Sequence, residues 1–340
     1  MKLSILLAFL SATLCAQQAD VTIKKNITQI AFGSCSEQEL TNRQLWDEVN
    51  FMEPDLWIWL GDNIYGDTED MQVMRQKYDL QKRHPGYQKL IANTEIIGTW
   101  DDHDYGVNDG GKEYPKKKES KEELLRFLET DEDHPVRKRS GVYQSYSYQS
   151  NSGTVKVILL DTRTFRDSLI WKRPTPGNKE AQINATGDIL GESQWKWLKD
   201  QLTEDVDLVI LASSIQVIPT EHVFEKWSNF PVARKRLLDL VSTTQKPILI
   251  LSGDRHLSEV SRLEVASSPY PIYEFTSSSL SSPSASFDFE PNQFREKNIV
   301  FPANFAHLDI VWKENYISCE VNYFGEDNKV LQTHMISYKR

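Results

Sequence analysis

Short apolar runs recur along this chain, and nearly every one stops on residues able to bind a metal ion or a phosphate. Residues 27–33, 55–60, 94–99, 155–160, 208–212 and 247–251 are such runs, each of strand length. Helical stretches near 39–50, 121–129, 193–203 and 232–242 lie between them. Strands alternating with helices predict βαβ units and a layered α/β fold. The residues that follow the strands are Ser34-Cys35, Gly61-Asp62, Trp100-Asp101-Asp102-His103, Asp161, Ser213-Ser214 and Gly253-Asp254-Arg255-His256. In open α/β sheets the carboxyl ends of the strands line one crevice, so groups far apart in sequence can meet there.

Composition supports a folded core and narrows the partners. With 39% hydrophobic and 26% charged residues in 340, the chain is neither disordered nor low-complexity, and the length suits one large α/β domain as well as two. Asp plus Glu outnumber Lys plus Arg by 49 to 39, and a net charge of −10 argues against a dedicated nucleic-acid binder. Any phosphate must be met by local charge.

Lys2, the apolar run 3–10 and the small residues up to Ala16 follow the order of a secretory signal peptide over residues 1–16. Removing it leaves 38 − 49 = −11 on residues 17–340, which are expected to form a single domain that is secreted or periplasmic. A lipid anchor through Cys15 is the second alternative, with Leu14 a poor residue before it. No later stretch is long and apolar enough to span a bilayer. Cys35 and Cys319 are too few for a disulfide framework, although a single bridge between them is the rival to a ligand role for Cys35.

The post-strand residues are of metal-ligand type. Asp62 and Tyr65 are three apart after a strand, and Asp254 and His256 flank one residue, so in extended backbone they share a face. Cys35 adds a thiolate, and Asp102 adds a carboxylate beside His103. An oxygen-rich set with one imidazole, one thiolate and one phenolate suits a hard trivalent cation such as iron(III) beside a second, divalent ion. Each group alone has a plainer reading: Gly-Asp as a turn, a buried Cys as a small hydrophobe, His256 as a core histidine, Arg163 as a structural ion pair. Their recurrence after strand upon strand separates the two readings.

Phe32-Gly33-Ser34-Cys35, Gly61-Asp62-Asn63-Ile64-Tyr65, Trp100-Asp101-Asp102-His103-Asp104, Asp161-Thr162-Arg163-Thr164-Phe165-Arg166 and Ser252-Gly253-Asp254-Arg255-His256 together resemble the ordered motifs of the PhoD-like alkaline phosphatases and phosphodiesterases, within the calcineurin-like metallophosphoesterase superfamily. The resemblance runs from about residue 27 to 282, and more weakly to Asn304. It implies a four-layer fold, two mixed β-sheets packed face to face with helices on the outside, and hydrolysis of phosphate diesters or monoesters. It also implies that Asp62 bridges two metals, that Cys35, Tyr65 and His256 complete an iron(III) site, and that Asp102 and Asp254 hold calcium, with zinc, manganese or magnesium as other choices. Asn108 is the alternative to Asp102. His103 would serve the leaving oxygen, and Arg163 would neutralise phosphate charge, with Arg166 less able to reach it. Two cations lower the pKa of bound water and clamp the attacking and departing oxygens of a phosphoryl transfer.

The remaining features read as scaffold or rim. Segment 112–139 carries nine basic and eight acidic side chains, as a solvated helix with loops does. Insertions 166–191 and 219–231, with Trp171 and Trp227, are expected as cleft rims. The serine-rich 277–286 reads as a loop placed after a strand at 270–275. Alternating segments within 303–340 are expected to close the second sheet as antiparallel strands with a turn at 325–328. The substrate is a small-molecule or polymeric phosphate ester. The alternative function is a catalytically silent binding protein of the same fold, whose mark would be missing ligands, and none is missing. Gly-x-Ser-x-Gly and P-loop motifs are absent from the sequence.

Overall fold

The computed structural model describes residues 19–41, 44–175, 178–283 and 290–340. The signal-like segment 1–16 lies outside them. The first sheet contains β1 (Val21–Ile23), β5 (Gln144–Gln149), β6 (Thr154–Leu159), β9 (Leu208–Ala212), β10 (Ile248–Ser252), β12 (Ile272–Ser277) and β11 (Ser258–Leu263), adjacent in that order. Its centre, β6-β9-β10-β12, is parallel, and β11 joins β12 antiparallel. In the second sheet, β2 (Gln29–Gly33), β3 (Leu56–Leu60) and β4 (Glu95–Thr99) are parallel neighbours. The antiparallel strands β13 (Phe305–Trp312), β14 (Tyr316–Phe324) and β15 (Val330–Lys339) extend it from β2.

Side chains alternate between the faces of a strand, and here both faces are apolar because both are covered. Ile30, Phe32, Leu56, Ile58 and Leu60 of one sheet share a core with Val157, Leu159, Ile210, Leu249 and Leu251 of the other. The intervening Trp57 and Trp59 pack outward on Trp46 of α1 (Trp46–Phe51), Met74 and Tyr78 of α2 (Met71–Arg83) and Leu90 of α3 (Pro85–Asn93). Ile158, Val209, Leu211 and Ile250 pack outward on Trp195 and Leu198 of α6 (Gly191–Gln201) and Leu237 of α7 (Pro231–Thr243). Helices therefore flank two sheets that face each other.

Three local outcomes differ from the sequence reading. The helix expected over 39–50 is confined to α1, because the chain before it is held elsewhere: Ser36 N–H donates to the Asp62 carbonyl, Glu37 N–H to Ser281 Oγ, and Gln38 Oε1 accepts from Tyr65 N–H. Trp227 is fully buried core rather than a rim residue, its Nε1 donating to Ser213 Oγ at 2.9 Å. The insertion 166–191 contains its own hairpin, β7 (Ile170–Thr175) with β8 (Asn178–Gln182). Cys35 and Cys319 are both free thiols.

Glu274, fully buried on β12, accepts the N–H groups of Val217 at 2.8 Å and Ile218 at 2.6 Å. Burial raises its pKa to about 7, against the pull of those two donors. A carboxyl whose folded pKa is raised contributes stability that is complete below its unfolded pKa and is lost as pH rises through the folded one. Glu274→Gln removes that titration and turns an amide N–H₂ toward a backbone donor. The stability advantage of wild type over this variant should therefore shrink by roughly 3 kcal/mol between about pH 4.5 and 7. Urea denaturation across that range checks it, and a constant or widening gap contradicts it.

Candidate metal centre

Strands of both sheets end at one place. Cys35 follows β2, Asp62 follows β3, Asp101 to His103 follow β4, and Asp254 and His256 follow β10. The chain turns sharply at each. Cys35, Asp62, Asp254 and His256 have φ of 57°, 48°, 69° and 54°, in the left-handed region that non-glycine residues seldom occupy. Strain of this kind costs on the order of 1 kcal/mol or more per residue and persists where the surroundings over-determine it. Gly61 needs no side chain there: its φ is 100°, and a Cβ would lie 2.5 Å from Asp101 Cβ and 2.7 Å from its backbone nitrogen.

Three overlapping groups of donors, each with ligand atoms all within 4.8 Å of one another, define the centre: Cys35, Asp62 and His256; Asp62, Asp102 and His103; Asp101, Asp102 and Asp254. Asp62 belongs to two of them. Tyr65 enters through its hydroxyl, 3.2 Å from His256 Nε2, and Cys35 Sγ lies 3.4 Å from Asp62 Oδ2. Asp102 stands within the group, whereas the Asn108 side chain is exposed and bonds to Asp109 at 2.5 Å. Asp109 N–H in turn donates to Asp102 Oδ2 at 2.6 Å.

These groups are buried and crowd one another's charge. Burial first, then neighbouring anions, raises the pKa of Asp62, Asp254, Cys35 and Tyr65 well above their ordinary values. For Asp254 the anions are Asp101 and Asp102; for Cys35 they are Asp62 and Asp254. Oxygen, sulfur and imidazole donors that repel one another in a buried crevice are a chemical fit for multivalent cations, which alone can hold them all deprotonated. His103, 17% exposed, has Nδ1 at 2.8 and 2.9 Å from the two oxygens of Asp67. Burial works against its charge, but Asp62, Asp67 and Asp102 outweigh it and push its pKa to about 11.

Arg163 is placed differently from the expectation that it meets substrate phosphate. It is fully buried, with Nε 2.6 Å from Asp101 Oδ1 and Nη1 2.6 Å from Glu225 Oε2. Its planar fork is occupied by carboxylates, so it braces Asp101 behind the centre. Arg166 Nε reaches the other Glu225 oxygen at 2.7 Å.

Residues the motif spacing does not expose complete the surround. Asp101 also accepts from Ser214 Oγ at 2.6 Å. Ser278 Oγ lies 3.1 Å from Cys35 Sγ and accepts the N–H groups of Arg255 at 2.6 Å and His256 at 2.9 Å. The Ser282 carbonyl is 2.6 Å from His256 Nδ1, which leaves Nε2 toward the other donors. Residues 277–281 of the serine run are thus buried against the centre, with Ser282 half-buried, while 284–286 lie outside the described residues. Only the adjacency of that run to a strand end hinted at this.

Two facing mixed sheets with a carboxylate-rich cluster at their strand ends define a metallophosphoesterase-type fold. Solved structures agree: PhoD superposes with a TM-score of 0.70 at 17% identity, over 93% of this chain and 70% of that one. A dimetal phosphatase from Danio rerio gives a TM-score of 0.54 at 12% identity, over 92% of this chain and all of that one. The model of the PhoD-like phosphatase family matches residues 30–324, and the chain belongs to that family. Alkaline phosphatase D of Bacillus subtilis (strain 168) is 26% identical over 287 residues, 71% of this chain. The chain spans about half the length of that relative, the match covering 48% of it.

Gly61→Ala tests how tightly the β3 turn is tied to Asp101. A Cβ at positive φ against backbone should destabilise the protein by about 1–3 kcal/mol in denaturant unfolding. A loss below 0.5 kcal/mol, about what an unremarkable surface site gives, would mean that the turn relaxes freely.

Proposed function

We propose that this chain is a metal-dependent phosphoesterase that hydrolyses phosphodiesters and phosphomonoesters, with diesters favoured. The observation that carries the reading is the sharing of Asp62 between two donor groups that between them contain Cys35, His256, Asp102 and His103. In this reading Cys35, Tyr65, His256 and Asp62 hold iron(III), and Asp62, Asp102 and Asp254 hold calcium. Bound there, the cations supply Lewis acidity toward phosphoryl oxygens and lower the pKa of water to the neutral range.

The chain's own residues supply the rest. Tyr65 and Cys35 contribute two anionic donors, which favour a trivalent over a divalent ion. With Nδ1 of His103 turned to Asp67, its Nε2 is the nitrogen left to donate to a departing alkoxide. Arg163 acts through Asp101, keeping it oriented beside Asp102 and Asp254. The signal-like order of residues 2–16 supports an exported protein, and among the described residues no helix is long and apolar enough to cross a membrane.

Hydrolysis of an aryl phosphodiester and the matching monoester by wild type and by Asp62→Ala tests this. The variant should lose kcat/KM on the order of 10³-fold or more on both substrates. An unaltered rate in the folded variant would remove Asp62 from the chemistry, and absence of turnover in metal-loaded wild type would leave the silent binding protein as the better reading.

A further inference from the structure

A cavity of about 690 Å³ lies apart from the metal centre, walled by residues of β8, the 220–231 segment and α7, and none of the centre's donors lines it. Two of its lining side chains, His222 and Lys226, are each only 4% exposed. Neither ring nitrogen of His222 has a hydrogen-bond partner among the described residues. Leaving a buried polar group unpaired costs about 1–3 kcal/mol, so a histidine kept this way calls for a reason. Among the described residues Lys226 Nζ makes one hydrogen bond, to the Phe224 carbonyl at 3.0 Å.

Charges of both signs surround the pair. Burial, and then Arg255, Lys226 and Arg295, hold His222 well below its ordinary pKa, so the ring is neutral and keeps one N–H to donate. Burial and Arg255 lower Lys226 to about 8, outweighing Glu290 and Glu225, so its ammonium persists at neutral pH. Of the three acidic lining residues, Glu221 and Asp239 are exposed and Glu180 is half-buried, and Asp239 pairs with Lys235 at 2.6 Å. Arg255 and Arg295 are already paired with Glu290 and Glu259, so the unspent donors are those of His222 and Lys226, and an oxyanion would accept from both the imidazole and the ammonium. Ile183, Val223 and Leu238 give the wall an apolar portion, and the volume fits a small organic molecule better than a bare ion.

We propose that this cavity is a second oxyanion subsite, in which His222 and Lys226 bind the phosphate group of a small organic phosphate. The choice of phosphate among oxyanions rests on the phosphoesterase reading. The segment that carries the cavity also touches the centre's supports. Glu225, between Phe224 and Lys226, holds Arg163 and Arg166, and the guanidinium of Arg255, between Asp254 and His256, lies 4.3 Å from the Phe224 ring centroid. The occupant is either a free phosphate compound or a neighbouring phosphate of a substrate that carries two.

Calorimetric titration of the metal-loaded protein with inorganic phosphate, and with the non-hydrolysable phenylphosphonate, tests the site. Wild type should show two binding events. Lys226→Met and His222→Phe should each weaken one of them at least tenfold, Lys226→Arg should retain it, and Asp62→Ala should weaken the other. The thermal midpoints of the Met and Phe variants should match or exceed wild type, since each removes a buried polar group that the fold does not fully satisfy. Isotherms of Lys226→Met and His222→Phe that superimpose on wild type would overturn the proposal, as would a single wild-type event that both variants keep. The source is read from KM: a rise in Lys226→Met confined to a substrate with two phosphodiesters identifies the neighbouring phosphate, and no rise on either substrate identifies a free compound. If metal-loaded wild type hydrolyses no phosphate ester, the phosphoesterase reading fails while the isotherms still decide the cavity.

Discussion

Anionic side chains gathered in one buried crevice are the constraint from which the rest of this structure follows. Asp62, Asp102, Asp254 and Asp101 lie close together with the Cys35 thiol and the Tyr65 phenol, and burial makes every one of their charges costly. Two kinds of compensation answer this. From behind, Arg163 is fixed on Asp101 by its own partner Glu225, so one guanidinium serves two carboxylates. In front, the donors that face one another await multivalent cations, and the left-handed backbone at Cys35, Asp62, Asp254 and His256 aims them inward at the expense of local strain.

Much of the layout was readable from residue order because strand periodicity and strand-end chemistry are both local signals. The runs around Leu56–Leu60, Leu208–Ala212 and Ile248–Ser252 announce themselves as buried strands by continuous apolar residues, and Cys35, Asp62, Asp102, Asp254 and His256 stand immediately after strands. What escaped depends on tertiary contact. The stretch 39–50 reads as one helix, yet the chain leading into it is tied down by Ser36 N–H on the Asp62 carbonyl, Glu37 N–H on Ser281 Oγ and the Gln38 side chain on Tyr65 N–H. Arg163 follows a strand as a phosphate ligand would, and only its complete burial shows that Asp101 and Glu225 hold it. Trp227 sits in a polar, proline-flanked insertion, and nothing near it in sequence indicates the Ser213 hydroxyl that receives its indole N–H. Helices α2 and α3 present Met74, Tyr78, Tyr87 and Leu90 to the tryptophans of the neighbouring strands.

The serine run after β12 shows how a composition-based reading can mislead. Serines in series suggest a loop, but Ser278 and Ser282 act by hydrogen bonding in a place where backbone turns leave N–H and imidazole groups to be satisfied. The β7–β8 hairpin and the 219–231 segment stand outside the two sheets, and they form walls and clamps without contributing a donor to the centre.

Anomalous diffraction from crystals of the metal-loaded protein tests the central claim most directly. The account predicts two metal peaks on either side of the Asp62 carboxylate, one contacting Cys35, Tyr65 and His256 and the other contacting Asp102 and Asp254. A single peak away from Asp62, or metal bound only where Asn108 or surface carboxylates lie, would contradict it.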